Sequence, residues 1–272
     1  MLLKRVLVAA ALLPVGIAAI YFGGIFYVGL VVLILVLAAW EYGGLFRAGG
    51  YKPASIIIIL GTLVLAVGRA LFYFQGADWM ISVVVLVSLA YHLVAFERGH
   101  GQAGTDFAIT VSGVLYIGWI GAYMISLRNL PEGMWWVLLV LPAVWIADAG
   151  AYFVGKGLGR HHMTPRLSPK KTWEGYIGGI LAGTLGAVLL SYLWQPLAGP
   201  GTNITPLSGL ALGFILSVVT VLGDLGASMI KRQVGVKDSS SLIPGHGGVF
   251  DRIDSWLWAG VIGYYLVLWL FL

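Results

Sequence analysis

Residues 207–254 read LSGLALGFILSVVTVLGDLGASMI and then KRQVGVKDSSSLIPGHGGVFDRID. The first half, 207–230, is apolar and longer than the roughly 20 residues that a helix needs to cross a bilayer. The second half cannot enter the hydrocarbon. It holds Lys231, Arg232, Lys237, Asp238, His246, Asp251, Arg252 and Asp254, with Gly245, Gly247 and Gly248 among them. That contrast decides the architecture: apolar helices carry one polar stretch at a membrane surface. The rest of the chain agrees. Of its 272 residues 60% are hydrophobic and only 10% charged, against about 25% charged in soluble domains, and the mean hydropathy is +0.94. There is no cysteine, which excludes disulfides, zinc–thiolate sites and thiol nucleophiles. A net charge of +5 spread along the chain reads as membrane topology and affinity for anionic headgroups, not as a nucleic-acid surface.

Outward from this stretch, apolar runs recur near 25–40, 54–74, 79–96, 107–127, 134–154, 176–194 and 255–272. The first 40 residues are too long an apolar run for one crossing or for a signal peptide, and Gly23-Gly24 offers a turn, which gives a further span near 6–22. The spacing predicts an all-α, polytopic transmembrane helical bundle of about nine spans. Barrel strands would be about 10 residues long and alternate in polarity. With the N-terminus in the cytoplasm, the inner segments hold Lys4, Arg5, Arg47, Lys52, Arg98, Lys156, Arg160, Arg166, Lys170, Lys171, Lys231, Arg232, Lys237 and Arg252, which is 14 of the 16 basic residues. Arg128 falls outside and Arg69 within a span. This bias sets both the loop 155–175 and the stretch 231–254 on the cytoplasmic face. We read residues 1–272 as a single integral membrane domain, with 1–130 as scaffold helices and 131–272 carrying the site. Gly175, Gly179 and Gly183 form a ridge of small residues, and Gly209 and Gly213 begin another. Such ridges let helices approach closely; packing within one chain is the simpler use, and a homodimer stays open. Compactness and the absence of a targeting extension suggest the inner membrane of a bacterial cell rather than an organelle.

The polar residues suit phosphate and hard cations. Asp224 closes its apolar run, and Asp251 and Asp254, three apart, share a helix face. Magnesium takes one or two carboxylates and completes its shell with water and substrate phosphates. The plainer reading of Asp251-Arg-Ile-Asp254 is a helix cap with an ion pair. Pro244-Gly245-His246-Gly247-Gly248 cannot be helical, and its backbone N–H groups are able to approach phosphate oxygens. Lys231, Arg232, Lys237 and Arg252 neutralise charge, although each alone also serves as a topology signal. A second constellation lies upstream. Asp148 stands within a span, where ionisable groups are costly and therefore functional candidates. The loop GKGLGRHHMTPRLSPKKTWEG follows, read as irregular because of Pro165 and Pro169, with Ser168, Lys170, Lys171 and Thr172 grouped before a helix start that favours an anion. Gly155-Lys156-Gly157-Leu158-Gly159 has the wrong spacing for a dinucleotide fingerprint, and no P-loop occurs. Adjacent His161 and His162 read as solvent or lipid-phosphate contacts rather than metal ligands.

Taken together, Ser228-x-x-Lys231-Arg232, Lys237-Asp238 and Pro244-Gly245-His246-Gly247-Gly248-x-x-Asp251-Arg252-x-Asp254 resemble the signature of the phosphatidate cytidylyltransferases, or CDP-diacylglycerol synthases. The resemblance extends to Gly223-Asp224-Leu225, Asp148-x-x-Ala151-Tyr152 and Ser168-Pro169-Lys170-Lys171-Thr172-x-Glu174-Gly175, and so covers the C-terminal half. It implies transfer of CMP from CTP to phosphatidic acid, releasing pyrophosphate, at the inner membrane face. It also implies Mg2+, as one ion or two. On this reading Asp224 and Asp251 are catalytic metal ligands, with Asp254 and Asp148 as further metal candidates. Lys231, Arg232 and Lys237 are catalytic cations, and Ser168, Lys170, Lys171, Thr172, Ser228, His246, Gly247, Gly248 and Arg252 bind substrate. Two alternatives stand beside it: a CTP-dependent polyprenol or phytol kinase, which would release CDP, and a transporter built on Asp148 and Arg69. The crowding of polar groups at one face favours an interfacial enzyme.

Overall fold

The computed structural model describes residues 2–240, 242 and 247–272, with the backbone alone for 2–11. In chain order it forms α1 (Leu2–Phe22), α2 (Gly24–Ala48), α3 (Ser55–Phe72), α4 (Ala77–Glu97), α5 (Ala103–Gly113), a π-helical turn (Val114–Trp119), α6 (Tyr123–Arg128) and α7 (Gly133–Leu158). Strands β1 (His162–Thr164) and β2 (Ser168–Thr172) follow, then α8 (Trp173–Ala198), α9 (Pro206–Val219), α10 (Val221–Gln233) and α11 (Phe250–Leu270). Among the described residues 8 helical stretches are long and apolar enough to cross a membrane; α5 through α6 make one and α9 with α10 another. With α1, each expected span falls on a helix or on a helical stretch interrupted within its length, and the chain is a polytopic helical membrane protein. The turn between the first two helices is where the glycines stand: Gly23 has φ +63° and Gly24 +49°, a left-handed backbone that a side chain disfavours.

Two expectations are corrected. The loop after α7 is not irregular: β1 and β2 pair antiparallel, with His162 opposite Thr172 and Thr164 opposite Ser168. A two-strand ribbon has only edges, so Pro169 costs it little. Nor is 207–230 one continuous helix. It breaks at Thr220, whose hydroxyl donates to the Leu216 carbonyl at 2.7 Å, a back-bond that bends helices. Asp224 therefore stands in the first turn of a new helix rather than at the end of an old one.

The chain divides into two compact units. The first comprises 1–126 and 230–253. In it α2 buries Val31, Leu35, Ala38, Tyr42 and Leu45, a stripe at helical spacing. Lys52 N donates to Asp106 at 2.9 Å, and the wholly buried Asp106 pairs with His100 at 2.5 Å, which ties the α2–α3 link to the start of α5. Arg69, the cation within a span, is buried with its guanidinium 3.8, 4.3 and 4.6 Å from the ring centres of Phe74, Trp119 and Tyr123, and it donates to Ser126. Three aromatic faces give it cation–π stabilisation.

The second unit comprises 127–229 and 254–272. Its centre is the packing of α8 on α7 along the glycine ridge. A Cβ on Gly175, Gly179 or Gly183 would stand 2.7, 2.8 or 3.0 Å from the carbonyl oxygens of Ala151, Ala147 and Ala143. Backbone thus meets backbone along three turns, and the ridge is used within the chain. Gly209 repeats the device against the Ala187 carbonyl of α8, at 2.6 Å. Gly223 lets α10 pack on the backbone of Asp254.

Candidate active site

Two acid–lysine constellations emerge, one in each unit. In the first, Asp251 opens α11 and accepts from both directions. Its Oδ1 takes the Lys231 ammonium at 2.5 Å, while Oδ2 takes Ser239 N at 2.8 Å, Ser239 Oγ at 2.8 Å and Gly248 N at 3.1 Å. The pair is nearly dry, with Lys231 13% and Asp251 5% exposed at the side chain. Charge-assisted bonds of this kind are the strong ones. The local sequence accounts for the shape. Gly247 has φ +82°, and at Gly248 a Cβ would overlap Ser239 Oγ and Glu41 Oε2. Neither position tolerates a side chain without movement.

Behind this constellation stands Glu41 of α2, 1% exposed. Its Oε1 accepts Ser240 Oγ at 2.5 Å and Val249 N at 3.0 Å; its Oε2 accepts Phe250 N at 2.7 Å and Ser239 Oγ at 3.1 Å. Glu41, Ser239 and Ser240 are absent from the sequence reading. The signal for Glu41 was present: it is the one carboxylate in the apolar run of α2, and an ionisable group within a span asks for a partner or a purpose.

In the second constellation Lys171, on β2, pairs with Asp224 Oδ2 at 2.7 Å, and Ser228 donates to Asp224 Oδ1 at 3.3 Å. This pair is wetter, with Lys171 23% and Asp224 39% exposed. Thr172 is buried and its hydroxyl caps α8 by accepting Gly175 N at 3.2 Å. Glu174 accepts the Arg160 and His161 amides at 3.1 and 3.2 Å and the His161 ring at 2.5 Å, so His161, exposed as expected, also pairs with the start of α8. Ser168 and Lys170 lie on β2, with Lys170 exposed. On α10, Asp224, Ser228 and Lys231 recur at i, i+4 and i+7, one face of a helix. One helix thus carries a member of each acid–lysine pair.

The remaining candidates are placed as follows. Arg232, Lys237 and Arg252 are exposed. Asp254 is half-buried, and its Oδ1 accepts Ser255 N at 2.7 Å. Asp148 lies exposed on α7. His246 lies outside the described residues, as do Pro244 and Gly245. Among the described residues no three histidine, aspartate or glutamate side chains gather as a ready-made metal cage.

Comparison with known proteins shows the family. The model of the cytidylyltransferase family matches residues 3–270. A phosphatidate cytidylyltransferase of Pseudomonas aeruginosa is 34% identical over 275 residues, covering 99% of this chain and 97% of that protein. One from Synechocystis sp. is 29% identical over 304 residues, covering 97% and 96%. One from Bacillus subtilis is 40% identical over 154 residues, covering 56% and 55%. A match this continuous spans both acid–lysine constellations and the scaffold helices that hold them, and the chain belongs to the cytidylyltransferase family.

Proposed function

We propose that this chain transfers CMP from CTP to phosphatidic acid, giving CDP-diacylglycerol and pyrophosphate, at the cytoplasmic face of the inner membrane. The observation that carries the reading is the end-to-end similarity to the Pseudomonas aeruginosa phosphatidate cytidylyltransferase. The chemistry of the two constellations supports it. CTP is a water-soluble polyanion and phosphatidate sits in the leaflet, so a site serving both needs cations and polar loops beside apolar spans.

The reaction needs little general-base help, because the phosphatidate phosphate is already an anion. One of its oxygens forms a bond to the α-phosphorus of CTP while the bond to the β-phosphate breaks, and pyrophosphate leaves with that electron pair. Positioning and charge neutralisation then supply most of the catalysis. We assign Lys231, Arg232, Lys237 and Arg252 to the phosphates of CTP and lipid, and Ser168, Lys170 and Lys171 of β2 likewise to substrate phosphate. Ser228, Gly247, Gly248 and His246 are assigned to substrate binding, and Thr172 holds the α8 start to which β2 is attached. Each lysine of a pair is already aimed, and Lys231 is largely desolvated as well. An arriving phosphate takes over the lysine and frees the carboxylate.

The donor set fits a divalent metal. A freed Asp224, the more exposed of the two, offers hard oxygen ligands beside a phosphate, and one or two carboxylates are what magnesium asks of a protein. Asp224 and Asp251 would each offer carboxylate oxygens to a metal ion, with Asp254 and Asp148 as further candidates. Bound there, one ion or two would polarise the phosphates and neutralise leaving-group charge. Lys231 and Lys171 keep the acids oriented until substrate arrives.

The test is direct. Purified protein given labelled CTP and phosphatidate should release pyrophosphate and a lipid carrying the CMP label; release of CDP instead would indicate a lipid kinase. Asp251→Asn should fold yet lose roughly 10³-fold in transfer rate, the scale of one charge clamp at a phosphoryl centre. Near-normal turnover by that variant would remove Asp251 from the chemistry.

A further inference from the structure

We infer that Glu41 is a positioning residue for the transfer reaction, acting from α2 by fixing the polar strap that presents Asp251. The inference rests on the assignment of Asp251 and Lys231 above, and it concerns a residue outside the C-terminal signature. The geometry is specific. Each carboxylate oxygen of Glu41 takes one hydroxyl and one backbone amide: Ser240 Oγ with Val249 N on Oε1, and Ser239 Oγ with Phe250 N on Oε2. The two hydroxyls lie on the strap after α10 and the two amides at the start of α11. One side chain therefore grips both flanks of the segment that runs from α10 to α11.

Asp251 takes hold of the same two flanks from the other side, through Ser239 and Gly248. Ser239 Oγ lies against both acids, 3.1 Å from Glu41 and 2.8 Å from Asp251. The position of the Asp251 oxygens is thus set by a strap whose own position is set by Glu41. Of the two amides that Glu41 accepts, Phe250 N opens α11 and Val249 N directly precedes it, where unpaired N–H groups and the helix dipole both favour a carboxylate. Gly248 completes the fit, because any Cβ there would overlap Glu41 Oε2. Among the described residues, the hydrogen bonds of the Glu41 carboxylate go to the strap and the start of α11, through which its effect passes.

A glutamine in its place keeps one acceptor oxygen and turns the other into a donor facing an N–H. Partners that orient a functional carboxylate typically change activity by about 10- to 100-fold when removed. The experiment compares wild type and Glu41→Gln in detergent or nanodiscs, reading thermal unfolding, kcat and KM for CTP, and hydrogen exchange at Gly248, Val249 and Phe250. The expected result is a folded protein whose kcat falls about 10- to 100-fold, with KM changed far less and with faster exchange at those amides. Glu41→Asp, which keeps both acceptors on a shorter arm, serves where Glu41→Gln does not fold, and the same joint change is expected. A folded variant with kcat within about twofold of wild type, which is below the loss expected of such a partner, overturns the inference. So does a fall in kcat without faster exchange at 248–250, or failure of both variants to fold. Asp251→Asn run in parallel separates the causes: if it too is active, the assignment of Asp251 has failed; if it is dead while Glu41→Gln is normal, only the positioning role has.

Discussion

At the scale of single residues, the Lys231–Asp251 pair makes a prediction that a surface ion pair would not. Removing one partner of a buried pair typically costs about 3–5 kcal/mol, because the other charge is left behind. Lys231→Ala should therefore lower the unfolding temperature, and it should also raise the KM for CTP or phosphatidate, with activity partly regained at high substrate. Initial rates across both substrate concentrations check this, and an unchanged KM would withdraw the phosphate role. Gly248→Ala tests the opposite fault, overfilling. The added methyl meets Ser239 and Glu41 at once; inserting a methyl into packed structure costs about 1–3 kcal/mol. Thermal unfolding should show that loss, and transfer should fall with it because both acids share Ser239. The acids and cations of this site stood out in the sequence by their contrast with an apolar chain. Glu41 did not, since a lone carboxylate in a span declares a partner without saying which.

At the scale of elements, the nine helical stretches were legible because bilayer thickness fixes how long an apolar run must be. The glycine ridge on α8 was legible for a similar reason, as a small-residue repeat has few uses between helices. Its energetics can be checked: Gly179→Val should drive α8 away from the Ala147 carbonyl and destabilise the protein by more than the Gly248→Ala change, as measured by unfolding in detergent. Equal stability would mean that α7 and α8 tolerate separation. What escaped the sequence was local. The break between α9 and α10 turns on Thr220 bonding to its own helix, and a threonine in an apolar run gives no warning of it. The hairpin 162–172 was hidden by two prolines that read as loop. Both elements carry site residues: the break starts the helix of Asp224, and the hairpin delivers Lys171.

At the scale of the whole molecule, orientation is the outstanding expectation, and the lack of cysteine makes it simple to test. Single cysteines placed at the exposed Arg166 and Asn203 positions should label from opposite sides of sealed vesicles, with 166 on the cytoplasmic side. Labelling of both from one side would break the alternation on which the inner-face assignment rests. The strap held by Glu41 has a consequence for biogenesis as well. Its four donors lie 198 to 209 residues further along the chain. A nascent polypeptide thus inserts a crossing segment whose acid has none of these donors until at least 198 further residues have been made. The strap is then captured by a receptor installed in the bilayer long before it left the ribosome.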